Sequence, residues 1–275
     1  MPIITISREM GTGAYGIAKE LSKKLKYTLV DGLKLAESAL DYGISLETLQ
    51  AVDEKPPSYN TMQDRERAAS LNSIELILLD FAKKGNIILY GRGGQDLLRG
   101  SGNVLKLRFI AGFEERVEQF AEREWIDPDL AKELIRRSDH QRGGFIHFYF
   151  DRNWDDPLEY DLIFNTSRLS HSAIIDSIVA AAKDPQLKEA DAWSNNVIDN
   201  AIMVKKIETA LLRSDELEYR PFRIEVEEGE ATLSGYIGSE LEKKAAIRIA
   251  AAVEGVNNVV DNIQVIDYCK YKDKC

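Results

Sequence analysis

An arginine and several glycines follow the first strand-like run of the chain, and their spacing could bind phosphate. Residues 3–6 are all β-branched, Arg8 comes next, and apolar residues at helical spacing follow the glycines. A strand, a glycine turn and a helix place backbone N–H groups and the positive end of the helix against a phosphate. A guanidinium at the strand end can bind two phosphate oxygens at once. The candidate phosphate-binding residues are therefore Arg8, Gly11, Thr12, Gly13, Ala14, Tyr15 and Gly16.

The same loop lacks two side chains that a phosphate-binding loop of the form G-x-x-x-x-G-K-[ST] uses. When the two are aligned without a gap, Arg8 and Gly13 fall on the glycines of the pattern. Ala14 then occupies the lysine position and Tyr15 the Ser/Thr position. The loop therefore has neither the ammonium for the β- and γ-phosphates nor the hydroxyl for Mg²⁺. The alternative is an ordinary strand-helix turn in which Arg8 forms a surface salt bridge.

A second arginine lies at the end of another apolar run, in the segment ILYGRGGQD at residues 88–96. A buried strand there would place Arg92 at the carboxyl edge of a sheet, where α/β folds bind ligands. Asp31 ends a shorter apolar run in the same way. Arg92 could instead pair with Asp96, and Asp31 could be a helix N-cap.

Further arginines are concentrated at residues 136–152. Phosphoryl transfer needs positive charge on the oxygens of the moving group, and it needs water to be excluded. A lid that carries Arg136, Arg137, Arg142 and Arg152 would meet both needs, with the glycines at 143–144 as its candidate hinge. Such arginines are also typical of a solvated helix face.

The order of elements predicts how these residues are positioned. Strands alternate with helices through residues 1–182, which predicts an α/β fold with a parallel sheet and helices on both faces. The predicted strands are residues 3–7, 27–30, 86–90, 104–110 and 161–165, and the predicted helices are residues 16–25, 63–84, 114–124, 128–138 and 170–183. Residues 43–61 are predicted to be a short helix followed by an irregular excursion.

The remainder of the chain has another pattern. Residues 183–195 are polar and contain a proline, which predicts a linker. Residues 196–268 have the order α-β-β-α-β, with a capping box at Ser239 and Glu242 before the second helix. Residues 269–275 are a tail that contains both cysteines.

Composition restricts the class of protein. A chain of 275 residues with 44% apolar and 30% charged residues is long enough for one large and one small folded domain. The net charge of −10 argues against a general nucleic-acid-binding protein. No apolar run approaches the roughly 20 residues of a membrane helix, and the early strand leaves no room for a secretory signal. With cysteines only in the tail, we expect a cytoplasmic protein. The histidine and cysteine spacings predict no metal site.

The opening segment ITISREMGTGAYGIAKEL resembles the cytidylate kinase-like family, whose typical opening is I-S-R-x-x-G-S-G-G-R-x-I-A. This is a divergent branch of the P-loop nucleoside-monophosphate kinases, and the resemblance covers about residues 1–182. The lysine position is not lysine in that family either, whereas Tyr15 departs from its pattern. The resemblance implies ATP as phosphoryl donor, CMP, dCMP or a related monophosphate as nucleotide substrate, and Mg²⁺ held mainly by substrate phosphates.

The resemblance also implies roles for single residues. Arg92 would bind the acceptor phosphate, with Asp31 near the acceptor, while Asp139 and Arg142 match the D-x-x-R of the family's lid. Asp161 lies in a segment that matches the family's Y-D-L-x-x-N-T and would help shape the acceptor pocket. The predicted catalytic residues are Arg8, Arg137, Asp139 and Arg142. Because the lysine and hydroxyl are absent, a catalytically inactive nucleotide sensor is the alternative.

The C-terminal segment resembles a BON domain, through a hairpin of the form x-G-x-x-T-L-x-G and a later G-V-x-x-V-x-N-x-I-x-V. This resemblance implies a fold more than a function. BON domains are associated with binding of phospholipid or other small ligands. The alternative is a protein–protein or dimerisation module, and in the second case the chain would form a homo-oligomer.

Overall fold

A five-stranded parallel sheet lies at the centre of the N-terminal part of the chain. The structure is a computed structural model that describes residues 2–51, 54, 62–189, 191–218 and 222–266. The strand order is β2-β3-β1-β4-β5, with β1 (Ile3–Arg8), β2 (Thr28–Val30), β3 (Ile87–Tyr90), β4 (Val104–Ile110) and β5 (Leu162–Asn165). The predicted parallel sheet is confirmed, and each strand boundary lies within one residue of its predicted position.

Helices cover both faces of this sheet. They are α1 (Ala14–Leu25), α2 (Gly32–Ala39), α3 (Leu46–Ala51), α4 (Met62–Lys84), α5 (Gly94–Leu97), α6 (Phe113–Glu124), α7 (Pro128–Phe150), α8 (His171–Ala181) and α9 (Pro185–Glu189). Ile4 and Ile6 of β1 are buried with apolar residues of α1 and α8, whereas Ile3 is buried with residues of α4. Because side chains alternate along a strand, a continuously apolar strand such as β1 needs cover on both sides. The part of the predicted excursion that follows α3 lies outside the described residues, apart from Glu54.

Helix α7 is longer than the sequence predicts, and the predicted hinge at residues 143–144 is wrong. The helix continues through both glycines to Phe150. Phe145 and Ile146, directly after the glycines, are buried in the core beside α4. Each helical glycine costs about 1 kcal/mol relative to alanine, and burial of two large apolar side chains offsets that cost.

The C-terminal part contains α10 (Asp191–Arg213), β6 (Arg223–Glu227), β7 (Glu230–Ile237), α11 (Glu240–Ala251) and β8 (Asn258–Val265). Strand β7 pairs with β6 antiparallel and with β8 parallel. The hydroxyl of Ser239 accepts the N–H of Glu242 at 3.2 Å, so Ser239 is the N-cap of α11, and the Glu242 carboxylate contacts that hydroxyl at 3.2 Å. Within the described ranges, no helix combines the length and the apolar character that crossing a membrane requires.

The predicted linker at residues 183–195 contains α9 and the first turns of α10. Its proline, Pro185, is the first residue of α9, a position where the missing N–H costs nothing. Helix α10 also belongs to two cores. Ile198 is buried with residues of α4, whereas Ile207 and Leu211 are buried with residues of the C-terminal sheet. Between them, Lys205 forms an ion pair with the buried Glu75 of α4 at 2.9 Å. The division into domains 1–182 and 196–268 remains a prediction, in which α10 is the shared element.

We expect Ile198→Ala to destabilise the N-terminal sheet by about 2–5 kcal/mol, because it leaves a cavity against α4. Residue 198 lies in the predicted C-terminal domain, so this substitution would destabilise the sheet of the other predicted domain. Hydrogen exchange of β1 amides in low denaturant measures it. Ile263→Ala, in the C-terminal core, is the matched control and should leave β1 exchange unchanged. Unchanged β1 exchange in Ile198→Ala would assign this helix to the C-terminal unit alone.

Candidate active site

The turn after β1 has a backbone that glycine alone accommodates well. Gly11 has a φ of +88°, and a Cβ there would lie 3.0 Å from the backbone oxygen of Arg116. Thr12 is buried, and its hydroxyl donates to the backbone oxygen of Glu9 at 3.0 Å. The turn is therefore tightly packed against α6.

Helix α1 begins at Ala14, directly after this turn, so the predicted strand, glycine turn and helix are present. Gly13 is its N-cap and has a left-handed backbone. The N–H of Gly16 is bonded to the backbone oxygen of Gly13 at 3.0 Å. Gly16 thus completes the helix start rather than offering an unbonded N–H, and phosphate binding by the rest of the loop remains a prediction.

Arg8 points away from solvent and toward the end of β3. Its Nη1 donates to both carboxylate oxygens of Glu54, at 2.8 and 3.0 Å. Its guanidinium also lies over the ring of Tyr90, 4.6 Å from the centroid. Burial alone would lower the pKa of Arg8, but the charge of Glu54 raises it above its ordinary value. The surface salt bridge considered as the alternative is replaced by a largely buried pair, in which the two side chains are 14% and 11% exposed.

Glu54 is the centre of this cluster. Besides the bonds from Arg8, its Oε2 accepts a hydrogen bond from the Nε–H of Arg142 at 2.9 Å, and its Oε1 accepts one from the backbone N–H of Arg92 at 2.6 Å. Burial by itself would raise the pKa of Glu54, but the charges of Arg8 and Arg142 hold it well below its ordinary value. Two arginines on opposite sides of the site, from β1 and α7, thus converge on one anion.

A second cluster ties α6 and α7 to the loop. Asp139 accepts the backbone N–H of Met10 at 2.8 Å and Nη1 of Arg116 at 2.6 Å. Arg116 is itself buried and donates to the backbone oxygen of Met10 at 2.9 Å. Asp139 and Arg142 lie three residues apart on one face of α7, with 3.7 Å between Oδ1 and Nη1. Asp139 therefore connects the loop to the helix that carries Arg142.

Asp31 and Arg92 line a cleft on the other side of Arg8, together with Tyr15 and Tyr90, with a volume of about 320 Å³. Asp31 is the N-cap of α2 and accepts the N–H of Lys34 at 3.0 Å. Its second oxygen accepts the hydroxyl of Tyr15 at 2.8 Å, and this hydrogen bond raises the pKa of Tyr15. Asp31 is thus both a cap, the alternative from sequence, and a wall of the cleft.

Two of the predicted residues lie elsewhere. Asp161 precedes β5 and accepts the N–H of Lys106 at 2.7 Å. It lies at the amino end of β5, whereas Arg8 ends β1 and Arg92 follows β3 at the carboxyl edge of the sheet, so the structure does not bring Asp161 together with them. Arg137 is exposed on α7. Arg137 and Asp139 are two positions apart, which is about 200° around the helix, so their side chains point to opposite sides of α7.

The residues that line the site suit a nucleotide better than they suit a bare metal ion. Mg²⁺ needs oxygen ligands, and the hydroxyl at the usual position belongs to Tyr15, which donates to Asp31. Among the described residues, no group of three or more histidine, cysteine, aspartate or glutamate side chains could hold a metal.

Comparison with known proteins agrees with this architecture. The sequence profile of the cytidylate kinase-like family matches residues 3–168, and that of the BON domain matches residues 199–267. The cytidylate kinase of Methanocaldococcus jannaschii is 30% identical over 186 residues, which cover 66% of this chain and 97% of that protein. The cytidylate kinase of Pyrococcus horikoshii is 30% identical over 196 residues, covering 70% and 93%.

A solved structure of an uncharacterized protein from Eubacterium ventriosum superposes with a TM-score of 0.54 at 20% identity, over 67% of this chain and 99% of that one, and supports the fold. Osmotically-inducible protein Y of Escherichia coli is 29% identical over 72 residues, covering 26% of this chain and 36% of that protein. The profile match and the relatives of at least 30% identity together span the sheet, the loop, the arginine clusters and α7. The chain belongs to the cytidylate kinase-like family, and it carries a BON domain after the kinase-like part.

Proposed function

We propose that the protein is an ATP-dependent nucleoside-monophosphate kinase that accepts CMP, dCMP or a related monophosphate. The convergence of Arg8, Arg142 and the N–H of Arg92 on one carboxylate carries this proposal. Guanidinium groups bind carboxylate and phosphate through the same paired, charge-assisted hydrogen bonds. A place that holds a carboxylate between two arginines therefore suits a phosphoryl group.

A phosphoryl group would also satisfy a donor that the carboxylate does not. Nη1 of Arg142 is buried and makes no hydrogen bond within the described residues, because its ion-pair partner, Oδ1 of Asp139, lies 3.7 Å away. A carboxylate has two oxygens, whereas a phosphoryl group being transferred has three. The third oxygen could accept this N–H, which makes the site more complementary to phosphate than to the glutamate.

The proposed roles follow from position. The turn at Gly11 to Gly13 and the first turn of α1 would hold donor phosphates through N–H groups and the positive helix end. Arg92 and Asp31, in the cleft, would bind the acceptor. Arg8, which lines both the cleft and the enclosed space beside Glu54, and Arg142, which lines that space, would hold the transferred phosphoryl group. Catalysis of this kind depends on positioning and charge stabilisation, so no side-chain nucleophile is required. Bound Mg²⁺ would supply further charge neutralisation on the phosphates.

A catalytically inactive nucleotide sensor is the second candidate. Ala14 replaces the lysine, and the hydroxyl of Tyr15 is bonded to Asp31 at 2.8 Å. The loop thus has neither of the two side chains that usually act on phosphate and Mg²⁺. Helix α10, packed on α4 and on the C-terminal sheet, would connect nucleotide binding to a small ligand, lipid or protein at the BON domain.

A coupled assay of ADP release separates the two candidates. The full chain is incubated with ATP, Mg²⁺ and each of CMP, dCMP, UMP and AMP, and we expect the highest kcat/KM with CMP or dCMP. Calorimetric titration of ATP and CMP into the same protein is the companion measurement. Binding of both nucleotides without ADP release would favour the sensor. Absence of both binding and turnover would contradict both candidates.

A further inference from the structure

The carboxylate of Glu54 occupies the place assigned above to the transferred phosphoryl group. It accepts two hydrogen bonds from Arg8, one from Arg142 and one from the backbone N–H of Arg92, at distances of 2.6 to 3.0 Å. Its side chain is only 11% exposed. The bonds come from three separate segments of the chain, so the site is built around an anion rather than around a surface ion pair.

The backbone around this anion leaves no room for a second one. At Gly91 a Cβ would collide with Oε1 of Glu54 and with Nη1 of Arg8. The enclosed space beside Glu54, lined by Ser7, Gly93, Gln95 and Phe145 among others, has a volume of about 10 Å³. A cavity of that size barely holds one water molecule. A phosphoryl group can therefore reach both arginines only if the carboxylate leaves.

We propose that Glu54 is a built-in competitor of the transferred phosphoryl group. Without nucleotide, its carboxylate neutralises Arg8 and Arg142 and keeps both side chains in place. When ATP binds, the γ-phosphate takes over their hydrogen bonds and Glu54 moves out of the cluster. This inference rests on the proposed function, because it takes Arg8 and Arg142 as ligands of the transferred group.

The competition sets which ligands can open the site. A ligand must replace four hydrogen bonds and the charge of a carboxylate that remains ionised. A γ-phosphate has three oxygens and up to two negative charges, so it can replace the carboxylate. A ligand too short to reach Arg8 and Arg142 forms no new hydrogen bonds when Glu54 leaves, so its affinity does not depend on Glu54. If Glu54 occupies the cluster for 90–99% of the time, ATP binds about 10- to 100-fold more weakly than it would to the open site.

Calorimetric titration of ATP and of ADP into the full chain tests the inference. Glu54→Gln keeps the shape of the side chain but removes its charge, and we expect it to tighten ATP binding about 10- to 100-fold. ADP lacks the transferred group, and its affinity should change less than about threefold. Glu47→Gln, an exposed position on α3, is the matched control and should bind both nucleotides as the parent does. Glu54→Ala should repeat the result of Glu54→Gln and replaces it if that variant does not fold.

Equal or weaker ATP binding in folded Glu54→Gln and Glu54→Ala would overturn the inference, since the carboxylate would then serve to orient the arginines. Absence of ATP binding by the parent and both variants would overturn it as well. Turnover is read separately. If Glu54→Gln binds ATP more tightly but neither the parent nor the variants release ADP, the competition by Glu54 is supported and the proposed kinase activity is contradicted. If the parent turns over and Glu54→Gln binds ATP as the parent does, the kinase activity stands and the competition by Glu54 is overturned.

Discussion

Arg142→Ala should lower kcat by about 1,000-fold, while Arg137→Ala on the same helix should leave kcat within about twofold of the parent. An arginine that stabilises charge on a transferring phosphoryl group typically contributes at least this factor. Arg142 donates to the anion of the cluster, whereas Arg137 is exposed. Both variants remove one positive charge from α7. A difference in kcat between them therefore reports the direct contact of Arg142 with the phosphoryl group and not the net charge of the helix.

The free energy of unfolding of Arg142→Ala must be measured together with its kcat. Arg142 is only 17% exposed, and its removal leaves Glu54 with fewer partners, so we expect the free energy of unfolding to fall by about 1–3 kcal/mol. Most of the protein then stays folded at assay temperature, and kcat can be corrected for the folded fraction. Equal kcat values for the two arginine variants would remove Arg142 from the reaction.

Arg8→Ala should weaken ATP binding by about 10- to 100-fold, and Arg8→Lys should restore only part of the loss. A hydrogen bond to a charged group contributes about 1.5–3 kcal/mol, which corresponds to this change in affinity. A guanidinium presents two N–H groups to two oxygens, whereas an ammonium is a single point of charge on a different stem. The Arg8 guanidinium also lies over the ring of Tyr90 at 4.6 Å, a contact that a shorter or longer side chain would have to rebuild.

ADP is the matched ligand for this test. It carries the same base, sugar and first two phosphates, so it should lose less than about threefold in affinity on Arg8→Ala. Calorimetry of both nucleotides against both variants gives the comparison directly. If ATP and ADP lose affinity equally, Arg8 contacts the α- or β-phosphate and takes over the role of the absent lysine. Unchanged affinity for both would mean that the loop binds through its backbone alone.

Local patterns in the sequence were sufficient for the sheet and the loop. The β-branched run before Arg8, the glycines after it and the helical spacing that follows all lie within about 20 residues. Each reflects a local requirement: burial of both faces of a strand, a left-handed backbone, or a helix start. That is why β1, α1 and the position of Arg8 agree with prediction.

The residues that the sequence did not reveal are those whose partners are distant along the chain. Glu54 contacts Arg8 and Arg142, which are 46 and 88 positions away. Arg116 contacts Met10, 106 positions away. No periodicity marks such a residue, because its role arises only when separate elements meet at one edge of the sheet. The interpretation of the glycines at 143–144 failed for the same reason: tertiary burial of Phe145 outweighs the local cost of glycine.

Helix α10 sets the rotation of the C-terminal part of the chain relative to the N-terminal part about the helix axis. Ile198 and Ile207 are nine positions apart, which is about two and a half helical turns, so the two anchors project from opposite sides of one rod. A single residue inserted between them would turn the BON domain by about 100° and advance it by about 1.5 Å. Seven inserted residues would nearly restore the angle but displace the domain by about 10 Å. Insertions or deletions in α10 should therefore change the orientation of the BON domain as well as its distance, whereas a change in the length of a flexible tether would alter the distance alone.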